Sequence, residues 1–212
     1  MRIRRLPTGV VCSLAFALAG VGQVCGGHWP QEGAGEVQEK AAKEVAQDPE
    51  PTIEVVVADG RLDFRAPKVW EQKKPRFNIV EAEFEAKSSK PDTTAARLTI
   101  MASGGSIEQN LERWVGQFSQ EDGSNTEDHT KQKEEKVNGM KVFLVDITGT
   151  YADSAGPFAG NATQRKGYRM LGAIVETKVA GNYYFKMYGP QATMDEHEKR
   201  FLEMVKSVKL SL

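Results

Sequence analysis

Cysteine is all but absent from this chain: its two cysteines, Cys12 and Cys25, both precede residue 26. No disulfide can form in the residues that follow, and a cysteine nucleophile, an iron–sulfur site and a thiolate zinc site are excluded there. Histidine is scarce as well, at His28, His129 and His197. Neither Glu127-Asp128-His129 nor the nearby Glu121 and Asp122 has the spacing of a calcium loop or a zinc motif, so no metal and no cofactor is expected. Long hydrophobic runs are missing too. The apolar run Val10 to Leu18 is too short to span a bilayer, which takes about 20 apolar residues. Nor is there an excess of charge of one sign. The chain carries 28 basic and 29 acidic residues, and five of the bases and six of the acids lie before residue 51, which leaves 23 of each in the body. A neutral body lacks the electrostatic footprint of a nucleic-acid binder. The basic run Lys73-Lys74-Pro75-Arg76 is short and reads as a solvated turn.

What is present begins with an export signal. Arg2, Arg4 and Arg5 form a positive start, the apolar run follows, and Ala17-Leu18-Ala19 supplies the small-x-small pattern of a cleavage site. Residues 1–19 are expected to be a signal peptide and the mature chain to start at Gly20, without a transmembrane span. The alternative is a lipoprotein anchored at Cys25, for which Val24 and Gly22 are the wrong residues in front of the cysteine. Residues 20–51 read as a disordered acidic spacer. Gly, Pro, Gln, Glu and Ala dominate there, and too little apolar surface is available to offset the entropy of ordering.

From Thr52 the pattern becomes that of strands, and 52–212 is expected to be one domain. Ile53, Val55 and Val57 alternate, Asp59-Gly60 offers a tight turn into Leu62 and Phe64, and Pro67 ends the strand. Phe77 to Lys87 reads as one long strand. Val80, Ala82, Phe84 and Ala86 lie on one face, with Glu81, Glu83 and Glu85 on a wet face near a sheet edge. Ala95 to Ser103 is a further strand. Ser106 and Gln109 form a capping box that opens a helix with the apolar stripe Ile107, Leu111, Trp114 and Phe118. A charged arm over 131–137 leads through Asn138-Gly139 into the strand 140–148, which is apolar on both faces. Residues 149–167 read as a long Gly/Ala/Ser-rich loop. Strands over 168–178 and 182–188 follow, with Tyr183, Phe185 and Met187 on one face. A capping box of Thr193 and Glu196 is expected to start a last helix with the stripe His197, Phe201, Met204, Val205 and Val208. Hairpin connections predominate, so the fold class is α+β: a mainly antiparallel sheet with packed helices.

This order resembles the PsbP-like superfamily, the fold of extrinsic photosystem subunits and related exported bacterial proteins. The matching pieces are Phe64-Arg65-Ala66-Pro67 with Trp70, the strand, Gly-Gly and helix in Ile100 to Phe118, and the block ending in Gly149-Thr150-Tyr151. The strand Tyr183 to Tyr188 and the last helix complete it. The resemblance spans about 52–210 and implies a layered α/β/α domain that binds or scaffolds partners rather than an enzyme. It carries over no metal ligand.

The function expected is that of an exported, noncatalytic module, periplasmic or extracellular, which binds an envelope protein or a small ligand. The long loop is the first candidate surface, through Tyr151, Asp153, Phe158 and Arg165; Tyr184, Lys186 and Tyr188 on the aromatic strand are the second. The enzyme alternative is a secreted hydrolase using Ser106 or Ser154 with His197 as base, although no Gly-x-Ser-x-Gly elbow occurs.

Overall fold

Residues 50–91, 93–154 and 162–211 are described by a computed structural model of the chain; the leader, Cys25 and nearly all of the spacer lie outside the described residues. The first strands are β1 (Thr52–Val57) and β2 (Leu62–Pro67), paired antiparallel as the alternation requires. Ala58, Asp59 and Gly60 turn the chain at φ of 59, 51 and 87°, and the Arg61 amide closes the turn on the Ala58 carbonyl. Then come β3 (Glu71–Lys73), β4 (Ala82–Ala86), β5 (Ala96–Ala102), helix α1 (Ile107–Val115) and β6 (Phe118–Ser119). A short 3₁₀ turn, Thr126–His129, precedes β7 (Thr130–Val137), β8 (Met140–Asp153), β9 (Thr163–Thr177) and β10 (Gly181–Pro190). Helix α2 (Gln191–Lys206) and β11 (Lys209–Leu210) end the chain.

The large sheet runs β3-β4-β5-β10-β9-β8-β6, with β7 also on β8, and the small sheet runs β1-β2-β11. All their pairings are antiparallel, and the fold is α+β. Period-two alternation splits the core in two. Leu98, Ile100, Val142, Phe185 and Met187 face the small sheet and α2, whose Met194, Phe201, Met204 and Val205 pack on them. Val145, Ile147, Met170, Ile174 and Tyr184 face α1, which contributes Trp114 and Val115. Strand β8 does need cover on both faces, and receives it from different elements.

Four local expectations change. Phe77 to Lys87 is not one strand, since only 82–86 pair with β5. Its acidic row is wet only in part, with Glu81 exposed and Glu85 half-buried. Glu83 is 3% exposed, held by Arg97, and Glu81 accepts from the Ala58 amide at 2.7 Å and the Tyr183 hydroxyl at 2.8 Å. Residues 149–167 are largely strand: β8 and β9 stay paired out to Asp153 and Thr163, so the connection is 154–162. Pairing satisfies the backbone there in spite of the glycines, and the ladder shifts register between Gly149 and Tyr151. Helix α2 enters directly from Pro190 with no side-chain cap. Thr193 is already inside it, donating to the Thr94 carbonyl at 3.0 Å, and Glu196 takes the Ser88 hydroxyl and Ser89 amide instead.

The α1 capping box is formed as its sequence predicts, with Ser106 Oγ accepting from the Gln109 amide and Gln109 Oε1 from the Ser106 amide. The helix ends at Val115, so Phe118 joins the stripe from β6. A glycine sets how close α1 lies. A Cβ on Gly172 of β9 would stand 2.5 Å from Trp114 and 2.7 Å from Val145. Trp114, 3% exposed, occupies that space and meets Tyr184 edge-on at 5.9 Å.

Candidate functional site

Helix α1 is too short to cover the sheet beneath it. Nine residues rise about 14 Å, whereas the ten of β10 extend about 34 Å. Along the α1 face of β10 the side chains Tyr184, Lys186 and Tyr188 therefore pass from a covered environment to an open one. Tyr184, 2% exposed, is under Trp114, and its hydroxyl accepts from Asn110 Nδ2 at 3.0 Å. Tyr188 is only partly buried and reaches solvent beyond the helix.

Lys186 lies between them. Its ammonium donates to Gln117 Oε1 at 2.5 Å and to the Tyr151 hydroxyl at 3.1 Å, and stands 5.0 and 5.3 Å from the ring centres of Tyr151 and Tyr188. No carboxylate among the described residues bonds it. Burial pulls the amine down to about 7, with Arg113 and Arg97 adding to the effect and Asp153 opposing it. The same burial, with Tyr188 and Asp153 nearby, raises the Tyr151 phenol above its ordinary range.

Beyond Lys186 the rings continue into an open cleft of about 390 Å³. Tyr151 is 4.7 Å from Tyr188 and stacks on Tyr168 at 6.2 Å with an 8° tilt. The Tyr188 hydroxyl accepts from Arg97 Nη1 at 3.0 Å, and Arg97 grips Glu83 with two bonds of 2.7 and 2.9 Å. Burial works against the Arg97 charge, but Glu83 and Tyr188 hold its guanidinium above the ordinary value. Tyr168, Tyr188 and Arg97 line the cleft from the sheet, Asp153 and Arg165 from the β8–β9 end, and Arg76 and Phe77 from the β3–β4 connection. No residue of α1 takes part.

Comparison with known proteins adds fold likeness at low identity. No family model and no curated protein matches the chain. Solved structures similar to it include cyanobacterial PsbP from Synechocystis, at 8% identity and a TM-score of 0.47, covering 78% of this chain and 96% of that one. LpqN of Mycobacterium tuberculosis, a protein involved in cell envelope biogenesis, is similar at 8% identity and a TM-score of 0.43, covering 76% and 91%. The Ran-binding protein Mog1p of Saccharomyces cerevisiae is similar at 10% identity and a TM-score of 0.41, covering 76% and 96%. PsbP, of the superfamily that the sequence resembles, is among them. The likeness is one of fold and brings no residue role with it.

The two surfaces expected separately are one. Tyr151 from the β8–β9 end and Lys186 and Tyr188 from β10 are in contact, and Asp153 and Arg165 sit at the same cleft, 3.4 Å apart. Tyr151 is not an exposed recognition residue. At 5% exposure it is part of the core, because the segment that carries it is a paired strand. Tyr184 is likewise structural, and Phe158 lies outside the described residues. Arg76, Phe77, Arg97, Tyr168 and buried Glu83 were missed. Arg76 belongs to the basic run read as a plain turn, and the position of Arg97 opposite the Leu98 face of β5 was the only sign of its orientation.

His197 is 3% exposed, and its two nitrogens are engaged. Nδ1 accepts from Trp70 Nε1 at 3.1 Å, so Nε2 carries the proton and faces the Lys87 carbonyl at 3.0 Å. Burial holds this imidazole below its ordinary value. Ser106, one of the two serines expected to pair with it, bonds within its own helix cap. Among the described residues no helix is long and apolar enough to cross a membrane, and no cluster of potential metal ligands occurs.

Proposed function

We propose that this chain is an exported, noncatalytic binding domain whose recognition surface is the cleft over the open half of the α1 face. The observation that carries the reading is the meeting of partly exposed Tyr168 and Tyr188 with Arg76 and Arg165, on strands and turns anchored by the Glu83–Arg97–Tyr188 network. Rigid strands present these groups, which limits the entropy lost on binding. Export is supported by the arginine start, the apolar run and the Ala17-Leu18-Ala19 cleavage pattern, and residues 20–51 then serve as a spacer between that leader and the domain.

The hydrolase reading is disfavoured by His197, whose ring bridges Trp70 and the Lys87 carbonyl and has no lone pair left for a serine. Two measurements test the proposal. The intact mass of the exported protein should correspond to a start at Gly20 without a lipid; a diacylated Cys25 would overturn that part. The double variant Arg76→Gln with Arg165→Gln should melt like the parent yet lose an envelope partner that the parent retains. A variant that keeps the partner puts recognition elsewhere.

A further inference from the structure

Resting on that reading of the cleft, we infer that its ligand is a small organic anion, a carboxylate attached to a flat aromatic ring. The charge balance sets the sign. Arg76, Arg97 and Arg165 line the cleft, with Asp153 the one acid among its described lining residues and Glu83 beneath Arg97, in a domain whose charges cancel overall. Arg97 is committed to Glu83 and Tyr188 and serves as the floor. The other two are held loosely: Arg165 meets Asp153 at 3.4 Å and Arg76 meets Glu83 at 3.6 Å, with side chains 47% and 70% exposed. Each guanidinium can turn toward a carboxylate without breaking a tight bond, and a planar fork suits a planar anion.

The ring follows from the rest of the lining. Tyr168 and Tyr188 offer aromatic surface beside those cations, and Phe77 remains 41% exposed at the rim. A neutral apolar ligand would strip water from the guanidinium groups and return no partner, and a cation would meet the like charges of Arg76 and Arg165. The volume, about 390 Å³, lies near the lower end of the roughly 300–1,000 Å³ range of small-molecule sites. A polyanion would find only two loosely held cations, too few for the counterion release that drives such binding.

The same chemistry has two sources, a free aromatic acid or the C-terminal aromatic residue of a peptide, and the experiment separates them. The exported protein, labelled with ¹⁵N, is titrated with phenylacetate and with N-acetylphenylalanine. N-acetylphenylalaninamide, acetate and phenethylamine serve as controls for the charge, the ring and the sign. The expected result is saturable shifts confined to the amides around Ala95, Thr163 and Tyr168 with one or both acids, and none with the controls. Preference for phenylacetate assigns a free acid, and preference for N-acetylphenylalanine a peptide terminus. Arg165→Gln should weaken binding about tenfold or more at unchanged melting temperature, the effect of one lost charge-assisted contact. Equal shifts with the amide, or none with either acid, overturn the ligand class. If the Arg76→Gln, Arg165→Gln variant still loses its envelope partner in that case, the cleft remains the recognition surface and only its ligand was misread. If the variant keeps the partner, both inferences fall.

Discussion

Replacing Lys186 with methionine isolates the electrostatic cost built into this face of the sheet. Methionine fills nearly the same volume and removes the amine, so packing changes little. In the unfolded chain the amine titrates near its ordinary value of 10.5, and in the fold burial pulls it down to about 7. At about 1.4 kcal/mol per pH unit, the full difference approaches 5 kcal/mol. Lys186 retains some solvent contact, which lowers the expected change to about 2–4 kcal/mol. The sign follows from proton counting. Between about pH 7 and 10 the unfolded chain holds a proton that the folded chain has released, so stability rises with pH across that window. Below pH 7 both states are protonated and the penalty is complete; above 10.5 both are neutral and it has gone. The variant escapes the penalty but gives up the bonds to Gln117 and Tyr151, each worth about 1 kcal/mol. It should therefore be more stable than the parent at pH 6 and less stable at pH 10, with the two curves crossing between. Urea midpoints at pH 6, 7.5, 9 and 10 measure this. The neighbouring titrations fall outside the window: His197, lowered by burial, removes stability as the pH drops below about 6.5, and Tyr151, raised by burial, does so only above about 10. A parent curve that is flat from pH 7 to 10, or a variant that never crosses it, would mean a solvated cation at 186 and would refute the reasoning.

Other expectations concern the frame. Gly172→Ala places a methyl group within 2.7 Å of Trp114 and Val145, so it should destabilise by about 1–3 kcal/mol in chemical denaturation, and an unchanged midpoint would show that α1 moves freely. Trp114→Ala should cost about 3–5 kcal/mol; a variant that melts like the parent would make Trp114 a surface residue. Arg169, 8% exposed, binds Asp146 through two bonds and also reaches the more exposed Asp195 and Glu198 on α2, so Arg169→Ala should cost about 2–3 kcal/mol, chiefly by stranding Asp146. Among the described residues, a chain that starts at Pro51 loses the exposed Glu50–Arg200 pair alone, and its midpoint should move by no more than about 1 kcal/mol.

Sequence by itself determined the elements whose evidence is local. Alternation in Tyr183 to Tyr188 divides that strand into two faces, and the structure keeps that division, with Tyr183, Phe185 and Met187 toward α2 and Tyr184, Lys186 and Tyr188 toward α1. The capping box at Ser106, the turn at 58–60 and the covering of both faces of β8 were legible for the same reason, since each depends on residues a few positions apart. Tertiary structure decided whatever depends on a distant partner. The glycines and small residues of 149–153 and 163–167 look like loop, and only the opposite strand makes them a ladder. Glu83 looks solvated until Arg97, fourteen residues on, claims it. The site itself is of this second kind. Arg76, Arg97, Arg165 and Tyr188 come from four segments of chain, and they meet because antiparallel pairing puts β4, β5, β10 and β9 side by side while a nine-residue helix leaves their far end uncovered. Periodicity records which way a side chain points; only the pairing of strands records what it points at.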